Sequence, residues 1–182
     1  MRLPVSAASS LLFLLLSLEI ADSSLRAADN VDVCEVLQHP QSFNGKMISI
    51  QTPIRIAFED FEIDIPSCPQ KVAGAIWLEY GKGPKTQPTT WCCGDLTPQD
   101  QLGLTQDSAF RKFDSYLRSV RKGKPLYAVS ATLSGRFDTV PTTTCPDRVH
   151  QCPRDGGFGH LGVFASRLII HSVSEVSAVK AK

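Results

Sequence analysis

"KMISIQTPIRIAFEDFEIDI", residues 46–65, places an apolar side chain at nearly every second position. Ile48 and Ile50 point one way, and Ile54, Ile56 and Phe58 then alternate with Arg55 and Glu59. A period of two predicts a strand with one buried face. Pro53 interrupts the run and predicts a bulge or bend, because proline donates no ladder hydrogen bond. "FEIDI" (61–65) is a second alternating strand, with Phe61, Ile63 and Ile65 opposite Glu62 and Asp64. Asp60 marks the turn between them. The acidic set Glu59, Asp60, Glu62 and Asp64 reads as the wet face of a hairpin.

Upstream, "NVDVCEVLQHP" (30–40) predicts a short helix, capped by Asn30 or Asp32 and stopped by Pro40. Val33, Val36 and Leu37 share its apolar side, and Asn44-Gly45 is a turn signal. Downstream, "AIWLEY" (75–80) is a third strand. A long connection carrying Trp91, Cys92 and Cys93 follows, of a length expected of a working surface or a disulfide-tied flap. In "DSAFRKFDSYLRSVRKGK" (107–124), Phe110, Phe113, Leu117 and Val120 form one helical stripe. Asp107 or Ser108 caps this helix, and Gly123 with Pro125 ends it. "LYAVSATLSGRF" (126–137) returns to strand with Tyr127, Val129, Ala131 and Leu133 inward. A last strand runs over 163–179 and bends near His171.

Three strands, a helix and two strands, preceded by a short helix, is the order of a five-stranded OB-like barrel. A first strand bent at Pro53 suits a barrel whose first strand serves two sides. The fold class expected is therefore mainly β with one principal helix.

The N-terminus has the order basic, apolar, small. Arg2 precedes "LLFLLLSL" (11–18), and Ala21, Ser23, Ala27 and Ala28 follow. This predicts a signal peptide over 1–27, cleaved between residues 23 and 28, and a single domain over 28–182. The apolar run is too short to span a bilayer. The protein is accordingly expected to be secreted or periplasmic, with no membrane span in its mature form. Two basic and two acidic residues leave with the leader, so the formal net charge stays at +1. A nearly neutral chain argues against nucleic acid as the ligand. Arg111, Lys112, Arg118, Arg121, Lys122 and Lys124 form a basic strip along the long helix, ordinarily a solvated face.

"GFGHLG" (157–162) fits the G-x-G-x-x-G pattern, yet a strand follows it where a dinucleotide fold needs a helix. The strand Lys, H-R-D and D-F-G elements of a kinase are also missing. These glycines are expected to supply positive φ angles and close backbone approach on entry to the last strand.

The stretches "HPQSFNGKMISIQ" (39–51) and "GFGHLGVFASRLIIHSV" (157–173) are similar to those of secreted bacterial proteins of unknown function with an OB-fold-like core. That resemblance covers most of the mature chain and implies no activity, catalytic residue or cofactor. An OB core with six cysteines also resembles the netrin-like inhibitor modules. In those modules the N-terminal cysteine of the mature chain does the work, whereas Cys34 lies several residues inside.

Cys34, Cys68, Cys92, Cys93, Cys145 and Cys152 are expected to form disulfides, for which 15 connectivities exist. Cys145 with Cys152 is the pair the spacing favours. Cys68 is expected to reach Cys92 or Cys93, leaving Cys34 for the other. The competing chemistry is a metal held by Cys145, His150, Cys152 and His160, whose spacing matches no standard zinc motif. No Cys-x-x-Cys or G-x-S-x-G is present, and His39 and His171 are read as packing or surface residues. The function expected is a secreted, disulfide-stabilised OB-like binding or interaction domain without catalytic residues or cofactor. Its ligand would be a protein, a saccharide or another envelope component. Trp77, Tyr80 and Trp91 are the candidate platform, Phe61 and Trp77 also being candidates for the core. The alternative is a metal-dependent enzyme or inhibitor working from the cysteine-rich loops.

Overall fold

A computed structural model describes residues 28–56, 61–63, 68, 74–83, 102–121, 127–141 and 156–180. Residues 1–27, the segment with Trp91, Cys92 and Cys93, and the segment with Cys145, His150 and Cys152 lie outside these residues.

A two-residue strand β1 (Asp29–Asn30) opens the chain, followed by helices α1 (Val33–Gln38) and α2 (Pro40–Phe43). Asp32 caps α1, its Oδ1 accepting from Cys34 N at 2.7 Å and Glu35 N at 3.3 Å. Asn30 does not cap, because it already lies in β1. Pro40 ends α1 and also begins α2, since its fixed φ suits the first helical position. Strands β2 (Met47–Ile56), β3 (Phe61–Ile63) and β4 (Ile76–Tyr80) come next, then α3 (Ser108–Arg121), β5 (Tyr127–Thr139) and β6 (Ser166–Lys180). The sheet order β1-β2-β3-β4-β6-β5 closes through a further β2–β5 pairing. Five strands thus make a closed mixed barrel of OB-like connectivity, with β1 added parallel to β2. The one parallel pairing within the barrel, β4 with β6, spans the crossover that contains α3 and β5.

The alternation of β2 works as its sequence predicts. Ile48, Ile50, Ile54 and Ile56 are buried, as are Val129, Ala131 and Leu133 of β5 and Leu168, Ile170, Val173 and Val176 of β6. Pro53 makes no bulge. The register of β2 with β5 runs unbroken from Met47 to Ile54, and residues 54–56 pair with β3. One strand therefore serves two sides by changing partner. The Asn-Gly turn docks on β5, Gly45 N donating to Phe137 O and Thr139 N to Asn44 Oδ1.

α3 is capped by Asp107, whose Oδ1 accepts from Phe110 N at 2.9 Å. Phe110, Phe113 and Leu117 bury its apolar stripe against β5 and β6. β6 departs from regularity twice. Its register against β5 shifts at His171, where the sequence predicted a bend, and again at Glu175, which adopts φ 50°. The first irregularity receives the chain before α3, with Thr105 N donating to His171 O and His171 Nδ1 bonded to Gly103 O.

Cys34 is bonded to Cys68 with Cα atoms 5.7 Å apart. The expected pairing of Cys68 with Cys92 or Cys93 is therefore incorrect. α1 packs its buried face on the barrel and brings Cys34 to the β3–β4 connection, a proximity that spacing along the chain does not encode.

Candidate functional site

OB barrels take ligands on the outer face of their second and third strands, here β3 and β4. Along β4, Ile76, Leu78 and Tyr80 share one face and Trp77 with Glu79 the other. Trp77 is the cross-strand partner of Glu62 on β3 and of Arg167 on β6. It therefore stands on the ligand face, yet it is only 1% exposed.

The cover comes from the chain's own "GFGHLG" segment. Phe158 and Phe164 exchange backbone hydrogen bonds of 2.8 and 3.1 Å, and Gly162 N donates to Gly159 O, which folds residues 158–164 into a small clasp. Gly159 (φ 70°) lies flat on the indole: a Cβ there would fall 2.6 Å from Trp77 Cδ2 and 2.8 Å from Phe164 Cδ2. The Phe164 ring packs on Trp77 with centroids 5.0 Å apart. Positive φ at Gly159 and Gly162 and close approach at Gly159 are what these glycines supply.

Beside the indole lies an ionic network. Arg167 donates to Asp138 Oδ2 from Nε and Nη2 at 3.0 and 2.9 Å, and to Glu79 Oε2 from Nη1 at 3.1 Å. Arg136 grips both oxygens of Asp138 at 2.8 and 2.9 Å. The Phe158 ring covers the Arg167 guanidinium at 4.6 Å, a cation–π contact that shields it from water. With side-chain exposures of 11% and 7%, the Arg167–Glu79 pair is shut in under the clasp. Such a neutral network fixes β4, β5 and β6 in register and offers no net charge to a polyanion.

This network was not anticipated, although the strand runs carry conspicuous charges: Glu79 in "IWLEY", Arg136 and Asp138 in "GRFD" and Arg167 in "SRLII". Opposite charges stranded in apolar runs are the signal that finds such a cluster, once the pairing of β4, β5 and β6 is known. Replacing Arg167 by methionine is expected to destabilise the fold by about 2 kcal/mol. That is less than a fully orphaned buried pair would cost, since Arg136 still holds Asp138. The deficit should persist in molar salt, whereas the i,i+4 pair of Asp114 with Arg118, whose guanidinium is solvent-exposed, should contribute about 0.5 kcal/mol and be partly screened. Urea unfolding at two ionic strengths checks both.

Trp77 and Tyr80 are not brought together as a platform. Tyr80 lies on the inner side of β4, its ring against Phe61 (5.3 Å) and Phe110 (5.5 Å), and Phe61 is itself in the core. Among the described residues, the Tyr80 hydroxyl and the Trp77 indole Nε1 are buried without a hydrogen-bond partner. Burial pushes the Tyr80 phenol well above its ordinary 10.0, Asp114 adding to the rise and Arg118 opposing it. A folded-state pKa above the unfolded one leaves stability intact below about pH 10 and removes it as pH rises beyond that. The Tyr80→Phe variant should match or slightly exceed the parent at neutral pH, because an unpaired hydroxyl leaves the core. It should also lose less stability between pH 10 and 12, which thermal melts across that range would show.

The basic strip of α3 is partly spent on the fold. Lys112 Nζ donates to Val176 O at 2.7 Å, Arg111 Nη1 to Gln106 O, and Arg118 pairs with Asp114. Of the metal candidates, His160 opens the 3-10 turn His160–Gly162, and Cys145, His150 and Cys152 fall outside the described residues. Among the described residues no group of three His, Cys, Asp or Glu side chains is placed to hold a metal ion. No described helix is long and apolar enough to cross a membrane. No family model, curated protein or solved structure matches the chain.

Proposed function

We propose that this chain is an exported, disulfide-stabilised interaction domain without catalytic function, and that it recognises a protein partner. One observation carries the choice of partner: the barrel face that would take a sugar or a base is filled by the chain's own clasp over Trp77 and Arg167. An oligomeric ligand seeks an open groove with aromatic rings to stack on, and among the described residues of this face the Trp77 ring is covered by Phe164. Recognition then falls to the clasp. The Cys34–Cys68 bond supports export, since disulfides persist in oxidising compartments.

The test has two arms. Intact mass of the exported protein should place its first residue between 24 and 29. Titration with oligosaccharide and single-stranded oligonucleotide panels at physiological salt should give only weak, salt-sensitive signals. Retention of Met1, or tight binding of either polymer that survives salt, overturns the reading.

A further inference from the structure

The clasp binds itself more firmly than it binds the barrel. Among the described residues, the backbone hydrogen bonds of residues 156–164 all run within this segment: Phe158 and Phe164 bond each other, and Gly162 N donates to Gly159 O. The first backbone tie to the barrel comes after it, at Ala165 O, which accepts from Val140 N at 2.9 Å and Thr139 Oγ1 at 3.1 Å. At the other end Gly156 (φ 96°) stands in open space, with nothing within 4 Å of where a Cβ would sit. Side-chain packing therefore attaches the clasp to the barrel face, with Gly159 and Phe164 on Trp77 and Phe158 on Arg167. Phe158, Gly159, Gly162 and Val163 are only partly buried. The packing also leaves a debt. Under this cover Trp77 is 1% exposed, yet its indole Nε1 has no hydrogen-bond partner among the described residues. A buried donor left unpaired is a cost of the closed form, and water removes it when the face is uncovered.

We infer that the clasp is a lid, which opens as one unit while the barrel stays folded and so uncovers Trp77 and Arg167 together. A segment with few buried contacts and no ladder bonds to its neighbours opens well below the free energy of global unfolding. The barrel beneath is held independently, because β6 pairs with β4 and β5 from Ser166 onward. Closed, the clasp withholds the ligand face. Open, that face presents an indole ring with a free N–H, and an Arg167 guanidinium stripped of the Phe158 ring. For its use alone the inference rests on the interaction-domain reading above: a protein that takes hold of the clasp lifts it, and its binding is thereby coupled to exposure of the barrel face.

The experiment uses the full, oxidised chain and reads hydrogen exchange by NMR. The amides of Phe158, Gly162 and Phe164 and the Trp77 indole proton should share one protection factor, at least about 100-fold below that of Leu168 and Ile170 in the barrel. Gly159→Ala sets a methyl 2.6 Å from Trp77 Cδ2 and 2.8 Å from Phe164 Cδ2, and so props the lid open. In a Trp91→Phe background Trp77 is the only tryptophan. There, Gly159→Ala should shift its emission to the red and open it to acrylamide, while Leu168 and Ile170 keep their protection. Clasp amides that exchange only with the barrel overturn the lid and make the clasp part of the core. An indole proton that exchanges ahead of the clasp amides overturns it too, because water then reaches Trp77 without any lifting. So does a Gly159→Ala protein in which Trp77 stays buried, or one whose barrel loses protection along with its cover. Each of these failures leaves the interaction-domain reading standing, which the polymer titrations test separately.

Discussion

Replacing Gly135 by alanine is expected to destabilise the barrel by at least about 3 kcal/mol, the severe end of what overpacking a core costs. Gly135 lies on β5 opposite Ile170, immediately beside the register shift at His171. A methyl group there would come 2.0 Å from the carbonyl oxygen of Ile169, 2.8 Å from its carbonyl carbon and 3.1 Å from Ile170 Cα. Every one of these atoms is backbone, so no side-chain rotation relieves the clash. β6 must move away from β5, and the same movement disturbs β4, which pairs with β6 across residues 76–80 and 166–170. For a domain of this size the melting temperature should fall by roughly 6–12 °C. Gly103→Ala is the matched control: an added methyl meets nothing within 4 Å, so its melt should stay near the parent's. Equal melts for the two variants would show that β5 and β6 do not approach as described.

The contrast between these glycines marks what the sequence could and could not say. Local periodicity carried most of the architecture. Ile48 to Ile56 alternate because one face of β2 is core, and Phe110, Phe113 and Leu117 repeat because one stripe of α3 is. The order of elements then restricts the fold to a few topologies, of which the OB-like barrel is the one observed. The site was less legible because it is assembled across long sequence separations. Trp77 reads as core as well as platform, and what buries it is a segment about 80 residues away. Glu79, Asp138 and Arg167 look like separate surface charges until the β4–β6 and β5–β6 pairings bring them together. "GFGHLG" shows the reverse case, since its neighbours alone excluded a phosphate loop and left a backbone role, which the packing on Trp77 supplies.

The disulfide is the other place where a large effect is expected. Removing Cys34–Cys68 with paired serines should cost about 4 kcal/mol on the chain-entropy model, given the sequence separation of 34. The bond ties α1, ahead of the barrel, to the β3–β4 connection, so reduction frees both ends of a long loop in the unfolded chain. α1 has little else to hold it: it is six residues long, and Val33, Val36 and Leu37 are its buried contacts. A helix this short does not persist alone. Without the bond α1 should therefore detach first, giving an early loss of amide protection over residues 33–38 and a lower overall melt. Hydrogen exchange on the Cys34→Ser, Cys68→Ser variant separates these two effects. The same variant examines the pairing itself. If Cys34 and Cys68 are partners, changing both together leaves four cysteines, an even number, and no new free thiol in the purified protein. Cys68→Ser alone should expose one thiol, at Cys34. Two free thiols in the double variant, or a thiol at Cys92 or Cys93 after Cys68→Ser, would mean that the connectivity is the one first expected from spacing.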